Sequence, residues 1–146
     1  KKKIDMGKKF GLTHGITSGI KNLNKEIYNI VGENGADIVV DTTGDPKIIE
    51  QAYELTAADG KTILAGVPKN KITIYSLPLH FKKILKGSHG GDSIPDIEIP
   101  RYIRLINKNK MTLNNMITDE FKLTKINDAI DLLRSGKAGR IVIKMA

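Results

Sequence analysis

The sequence predicts an α/β fold built on a parallel sheet. Two observations carry that expectation. Segments of strand character alternate with segments of helical periodicity along the chain, the pattern of βαβ units. The strand segments Asp37–Asp41 and Thr62–Val67 are short apolar runs rich in β-branched residues, as in strands buried on both faces.

The elements follow in order. A helix is expected from Lys2 to Phe10, stopped by Gly11, and then a short extended piece from His14 to Thr17. Leu23 to Val31 reads as a second helix, with Leu23, Ile27, Ile30 and Val31 on one face and Gly32 and Gly35 ending it. After the strand Asp37–Asp41 comes the turn Thr42-Thr43-Gly44. The next helix has complete punctuation: Asp45 as its cap, Pro46 in its first turn and Gly60 past its end. Ile49, Ala52, Tyr53 and Thr56 mark its inner face. Thr62–Val67 is the following strand, ended by Pro68. Ile72–Tyr75 is extended, Pro78–Lys83 is a helical turn or two, and Leu85–His89 is a strand before Gly90-Gly91. A helix is expected from Pro100 to Asn109, with Ile99, Tyr102, Ile103 and Ile106 at helical spacing. Ile117–Leu123 reads as a polar extended link. Thr124 is a candidate cap for a last helix whose inner face is Ile126, Ala129, Ile130 and Leu133, with Gly136 beyond it. Arg140–Met145 closes the chain as a strand.

Composition narrows the function. The 146 residues are enough for one domain and a short extension, and 40% apolar with 27% charged residues is ordinary for a globular chain. No run of eighteen apolar residues occurs, so no membrane partner is expected. Cysteine is absent, which excludes disulfides and thiolate metal sites and makes a cytoplasmic setting the default expectation. The formal charge of +8 raises the possibility of nucleic acid. Against it, the lysines are spread along the chain, only four arginines occur, and no aromatics alternate with basic residues as stacking platforms. A solvated lysine surface is the better reading.

Motifs exclude more. A dinucleotide loop needs G-x-G-x-x-G between strand and helix, so that backbone can approach a pyrophosphate. Gly11, Gly15 and Gly19 have the wrong spacing and follow no apolar strand. The P-loop pattern is also absent. His14, His80 and His89 lie far apart, so no metal site is expected from this chain. No serine occupies a nucleophile elbow. What remains is the set of loops at strand carboxyl ends, where open parallel sheets bind ligands. These are Thr42-Thr43-Gly44, Ala65-Gly66-Val67-Pro68 and His89-Gly90-Gly91. Their glycines admit two readings, simple turns or close approach to a flat ligand.

Four elements carry a family resemblance. Gly35-Ala-Asp-Ile-Val-Val-Asp-Thr-Thr-Gly44 resembles the fourth-strand region of zinc-type medium-chain alcohol dehydrogenases. Thr62-Ile-Leu-Ala-Gly-Val-Pro68 is similar to their next strand and loop, and Lys86-Gly-Ser-His-Gly-Gly91 to the strand and glycine pair closing the coenzyme domain. Ile117-Thr118, Ile126-Asn127 and Asp131-Leu-Leu-Arg-Ser-Gly136 resemble the C-terminal signature. The resemblance spans nearly the whole chain and is close to the class that oxidises primary alcohols or the glutathione adduct of formaldehyde.

The resemblance implies an architecture. Residues 1–89 would be a partial NAD(P)-binding Rossmann domain, and 90–146 the C-terminal segment of the catalytic domain. The parallel sheet would lack its first two strands, and the glycine fingerprint and ribose-binding acid would precede Lys1. The resemblance also implies roles. Lys3 falls near the adenosine ribose. Thr42, Thr43 and Gly44 pass the coenzyme, and Gly66 belongs to a loop that helps hold it. Ala65, Val67 and His89 present backbone to the nicotinamide carboxamide. Arg140 meets the pyrophosphate, where a guanidinium fork suits paired oxygens. The family's zinc ligands have no counterparts here, so zinc is expected only in a parent enzyme acting on an alcohol or aldehyde. This chain alone is expected to be inactive. A homodimer through Leu85–His89 is implied by the same family. The alternative is a free-standing, non-catalytic remnant serving as an oligomerisation or weak nucleotide-binding module.

Overall fold

The computed structural model describes residues 2–17 and 19–145, with the backbone alone for Lys2. In chain order its helices are α1 (Lys2–Lys9), α2 (Leu23–Val31), α3 (Pro46–Leu55), α4 (Pro95–Asn107) and α5 (Ile126–Arg134). Its strands are β1 (Ala36–Asp41), β2 (Thr56–Leu64), β3 (Ile84–Gly87), β4 (Ile117–Lys122) and β5 (Arg140–Lys144). Helices and parallel strands alternate, as the sequence predicts. Among the described residues no helix is long and apolar enough to cross a membrane.

The chain forms two compact units. One is Ser18–Ile94; the other joins Lys1–Thr17 to Pro95–Ala146. The sequence boundary at residues 89 and 90 falls near the second junction, but α1 groups with the C-terminal residues rather than with the sheet that follows it.

The first unit is a parallel sheet in the order β1-β2-β3. Helix α3 crosses between β1 and β2 and packs on both. It begins where the sequence places it: the Asp45 carboxylate accepts from the backbone N–H of Lys47 at 2.9 Å and Ile48 at 3.4 Å, and Pro46 stands in the first turn. Ile49, Ala52, Tyr53 and Leu55 form its buried face, and Ile49 and Thr62 are fully buried. These residues are the core of the unit. The helix ends earlier than Gly60 suggests. Thr56 donates its hydroxyl to the Ala52 carbonyl at 2.8 Å and turns straight into β2. Gly60 lies inside that strand, in a bulge where the register passes from Ala36 opposite Thr56 to Ile38 opposite Lys61.

Strand β1 corrects a second expectation. It is not buried on both faces: Ile38 is 63% and Val40 54% exposed. Two-sided burial of a parallel strand needs helices on both sides of the sheet. This unit covers only the face packed on α3.

The second unit holds α1, α4 and the β4-α5-β5 crossover, whose strands pair in parallel. Residues 117–122, read as a link, are therefore a strand. The sequence reading missed it because its apolar residues are few and it pairs with the final strand of the chain, far away in sequence. Helix α4 starts at Pro95, not Pro100, and carries Pro100 inside it. Proline at a first helical position loses no hydrogen bond, so Pro95 opens the helix. Thr124 is not a cap. It lies in a 3-10 turn, Leu123–Lys125, that leads into α5. Ala129 is the buried residue of α5, while Ile126, Ile130 and Leu133 remain partly exposed. Residues 14–17 form no strand. An extended segment without a ladder partner has nothing to satisfy its backbone.

Candidate functional site

The strand ends of the first unit are aligned. Asp41 pairs with Leu64, and Leu64 pairs with Gly87. One register row thus ends all three strands, and the loops that follow leave the sheet side by side. Beyond it the Ser88 N–H donates to the Leu64 carbonyl at 2.9 Å, which sets the start of the His89 loop beside Ala65.

Asp41 organises the first two loops. It is 3% exposed. One carboxylate oxygen accepts from the Thr43 N–H at 3.0 Å and the Thr43 hydroxyl at 2.6 Å; the other accepts from the Gly44 N–H at 3.0 Å. The Asp41 carbonyl accepts from the N–H of Ala65 at 2.8 Å and of Gly66 at 2.9 Å. Burial pushes the Asp41 carboxyl up. The Thr43 hydroxyl and the Gly44 and Thr43 amides outweigh it and hold the group below its ordinary value. One buried carboxylate therefore ties the Thr42–Gly44 loop to its own strand, and its backbone carbonyl ties in the Ala65–Val67 loop.

The glycines of these loops are where backbone meets backbone. Gly44 has φ of +68°, and a side-chain carbon there would press on the Val67 carbonyl. A side-chain carbon on Gly66 would lie 2.7 Å from an Asp41 carboxylate oxygen and 2.8 Å from the Thr43 amide nitrogen. Close approach, rather than an isolated turn, accounts for both. By contrast Gly15 packs against the Ile4 side chain, a close contact unrelated to phosphate.

Thr42, Thr43, Ala65, Val67 and His89 are all exposed at this edge; Val67 is 83% exposed. The His89 loop is braced internally. The Gly91 N–H donates to the Ser88 hydroxyl at 3.0 Å, and Lys86 pairs with Asp92 at 2.7 Å. That lysine's hydrogen bond and charge hold the Asp92 carboxyl below its ordinary range.

Lys3 and Arg140 belong to the other unit. There they line one groove of about 320 Å³ with Met6, Phe10, Met116 and Gly139. Its floor is set by β4 and β5: the Arg140 N–H donates to the Met116 carbonyl, and the Gly139 N–H to the Thr118 hydroxyl at 2.9 Å. Two cations over an apolar floor suit an anionic ligand with a flat apolar part. So seven of the nine sequence-named residues gather at the sheet edge of one unit, and the other two gather in a groove of the second. Asp41 was not among the named residues. Its signal was present: an aspartate followed two residues later by Thr-Gly is the pattern of a side chain that caps its own turn.

Among the described residues, no group of three or more His, Asp or Glu side chains is placed to hold an ion, and the sequence has no cysteine.

Comparison with known proteins fits this arrangement. Residues 1–108 match the family described as zinc-binding dehydrogenase. The chain is 35% identical to alcohol dehydrogenase-like 7 of Arabidopsis thaliana over 149 residues, covering 98% of the chain and 38% of that protein. It is 27% identical to L-threonine 3-dehydrogenase of Pyrococcus horikoshii over 147 residues, or 97% of the chain and 41% of that protein. In structure it resembles benzyl alcohol dehydrogenase from Acinetobacter calcoaceticus, with a TM-score of 0.88 and 24% identity over 99% of the chain and 40% of that one. The chain spans about two fifths of the length of these relatives.

Proposed function

The chain belongs to the zinc-binding dehydrogenase family, and from that premise we propose that it is the coenzyme-side portion of an NAD(P)-dependent, zinc-type alcohol dehydrogenase. The observation that carries this reading is the register row Asp41–Leu64–Gly87. It brings three loops rich in small residues to the carboxyl edge of a parallel sheet, where open α/β folds bind dinucleotides.

On this reading each loop presents backbone to the coenzyme. Gly44 and Gly66 keep that surface flat, since a side chain at either would displace its neighbour. Ala65, Val67 and His89 are exposed residues of these loops and would turn backbone to the nicotinamide end, with Thr42 and Thr43 lining the passage. For Arg140 and Lys3, which belong to the other unit, the family resemblance implies positive charge for the pyrophosphate and the adenosine ribose. A nicotinamide coenzyme bound at these loops would supply the hydride acceptor or donor for an alcohol or aldehyde. The chain's own residues bind and orient; among those described, none is assigned a role as acid, base or nucleophile. Zinc does not fit the residues present, so polarisation of the substrate oxygen is assigned to no residue of this chain. The catalytic half of the enzyme falls outside it, and the protein is assigned to the cytoplasm.

We assign the outer edge of β3, with the following residues through His89, to pairing with a second copy. β3 is an edge strand of the three-stranded sheet, and an unpaired edge is a template for another strand.

The coenzyme assignment is tested by titrating NADH fluorescence against the polypeptide its gene encodes. Arg140→Gln weakens binding about tenfold or more, the scale of a lost charge-assisted hydrogen bond. Unchanged affinity removes Arg140 from the site.

A further inference from the structure

The crossover from β2 to β3 is held down at a place none of the loops above touches. Lys83, immediately before β3, is 8% exposed. Its ammonium donates to the Thr56 carbonyl at 2.7 Å and stands 4.4 Å from the centre of the Tyr53 ring. Thr56 is the residue where α3 becomes β2, so this hydrogen bond joins the end of the helix to the start of β3. The Tyr53 hydroxyl donates in turn to the Tyr75 carbonyl at 3.0 Å, and the Thr73 N–H donates to the Glu50 carboxylate at 2.7 Å. The Thr56 carbonyl and the Tyr53 ring thus hold the buried cation, while the Tyr53 and Glu50 side chains tie the crossover backbone down beside it.

Strand β3 has little else to fix it. It is four residues long and pairs with β2 alone, Lys61 opposite Ile84 through Leu64 opposite Gly87. That short ladder sets the Gly87 end of the strand row and hence the position of His89. A buried ammonium is costly without partners, so its geometry is held by the carbonyl and the ring together. Burial lowers the Lys83 ammonium below its ordinary value, and the nearby Glu54 partly offsets this; Glu50 is the other carboxylate of the cluster.

We propose that Lys83 is a positioning residue that anchors the crossover on α3 and so fixes the register of β3 and the placement of the His89 loop. Its consequence for self-association rests on the edge pairing proposed above.

The test is hydrogen exchange, read by mass spectrometry on the full chain with Lys83→Met and Lys83→Arg. Methionine keeps the packing volume and removes the charge and the donors. In Lys83→Met, amides of residues 84–88 exchange at least about tenfold faster, while those of 38–40 in β1 hold the wild-type rate. Lys83→Arg restores most of the protection, because a guanidinium retains both the donor and the cation–ring contact. Wild-type protection of residues 84–88 in Lys83→Met overturns the proposal. So does an equal loss in β1 and β3, or a variant that does not fold, since each makes the role global rather than local. A wild-type protein that is monomeric overturns the edge pairing and leaves the exchange result to decide Lys83.

Discussion

Gly66 lies against the backbone of Gly44, so close that a side chain on Gly66 would press on the Gly44 amide nitrogen. The two loops that leave β1 and β2 therefore have one packing surface between them, sealed beneath by the Asp41 carboxylate.

Gly66→Ala forces one of those loops to move. Overpacking of this kind costs about 1–3 kcal/mol. The urea midpoint of the variant falls accordingly. Gly44→Ala falls as well, because it adds a left-handed backbone at φ of +68° to the clash with Val67. A wild-type midpoint for Gly66→Ala means that the loops are not in contact.

Asp41 gives a dependence on acid. Its folded-state pKa is lowered, so folding favours the charged carboxylate. The resulting stability is present above about pH 4, the unfolded value, and is lost as pH falls through the lower folded value. Asp41→Asn costs about 1–3 kcal/mol at neutral pH through weakened hydrogen bonds. Melting curves from pH 7 to pH 2 show the wild type and the variant converging at the acid end. A constant gap across that range contradicts the role given to the carboxylate.

The self-association proposed for β3 is tested directly. Light scattering at micromolar concentration gives a dimer mass, and a monomer throughout removes the assignment of this edge.

Much of this was legible in the sequence, and the failures have physical causes. Asp45 and Pro46 announced α3 because capping chemistry is local. The loops ending β1 and β2 were found for the same reason, since Thr-Thr-Gly and Gly-Val-Pro are local turn signals. The exposure of Ile38 and Val40 was not legible: an apolar run records that a strand can be covered, not whether this chain covers it. Strand β4 was missed because its pairing with β5 comes from the far end of the chain. Lys83 carried no signal at all. It is one of two adjacent lysines, and only the fold turns it toward Thr56 and Tyr53. That Lys3 and Arg140 line one groove was not legible in the residues; the family resemblance implies a separate contact for each.

The most direct test of the central claim is the intact mass of the native polypeptide that contains these peptides. This chain of 16.1 kDa spans about two fifths of its relatives. A coenzyme-side portion of a dehydrogenase predicts a polypeptide more than twice as heavy, about 40 kDa by that proportion. A native mass of 16.1 kDa contradicts it and makes the chain a free-standing module.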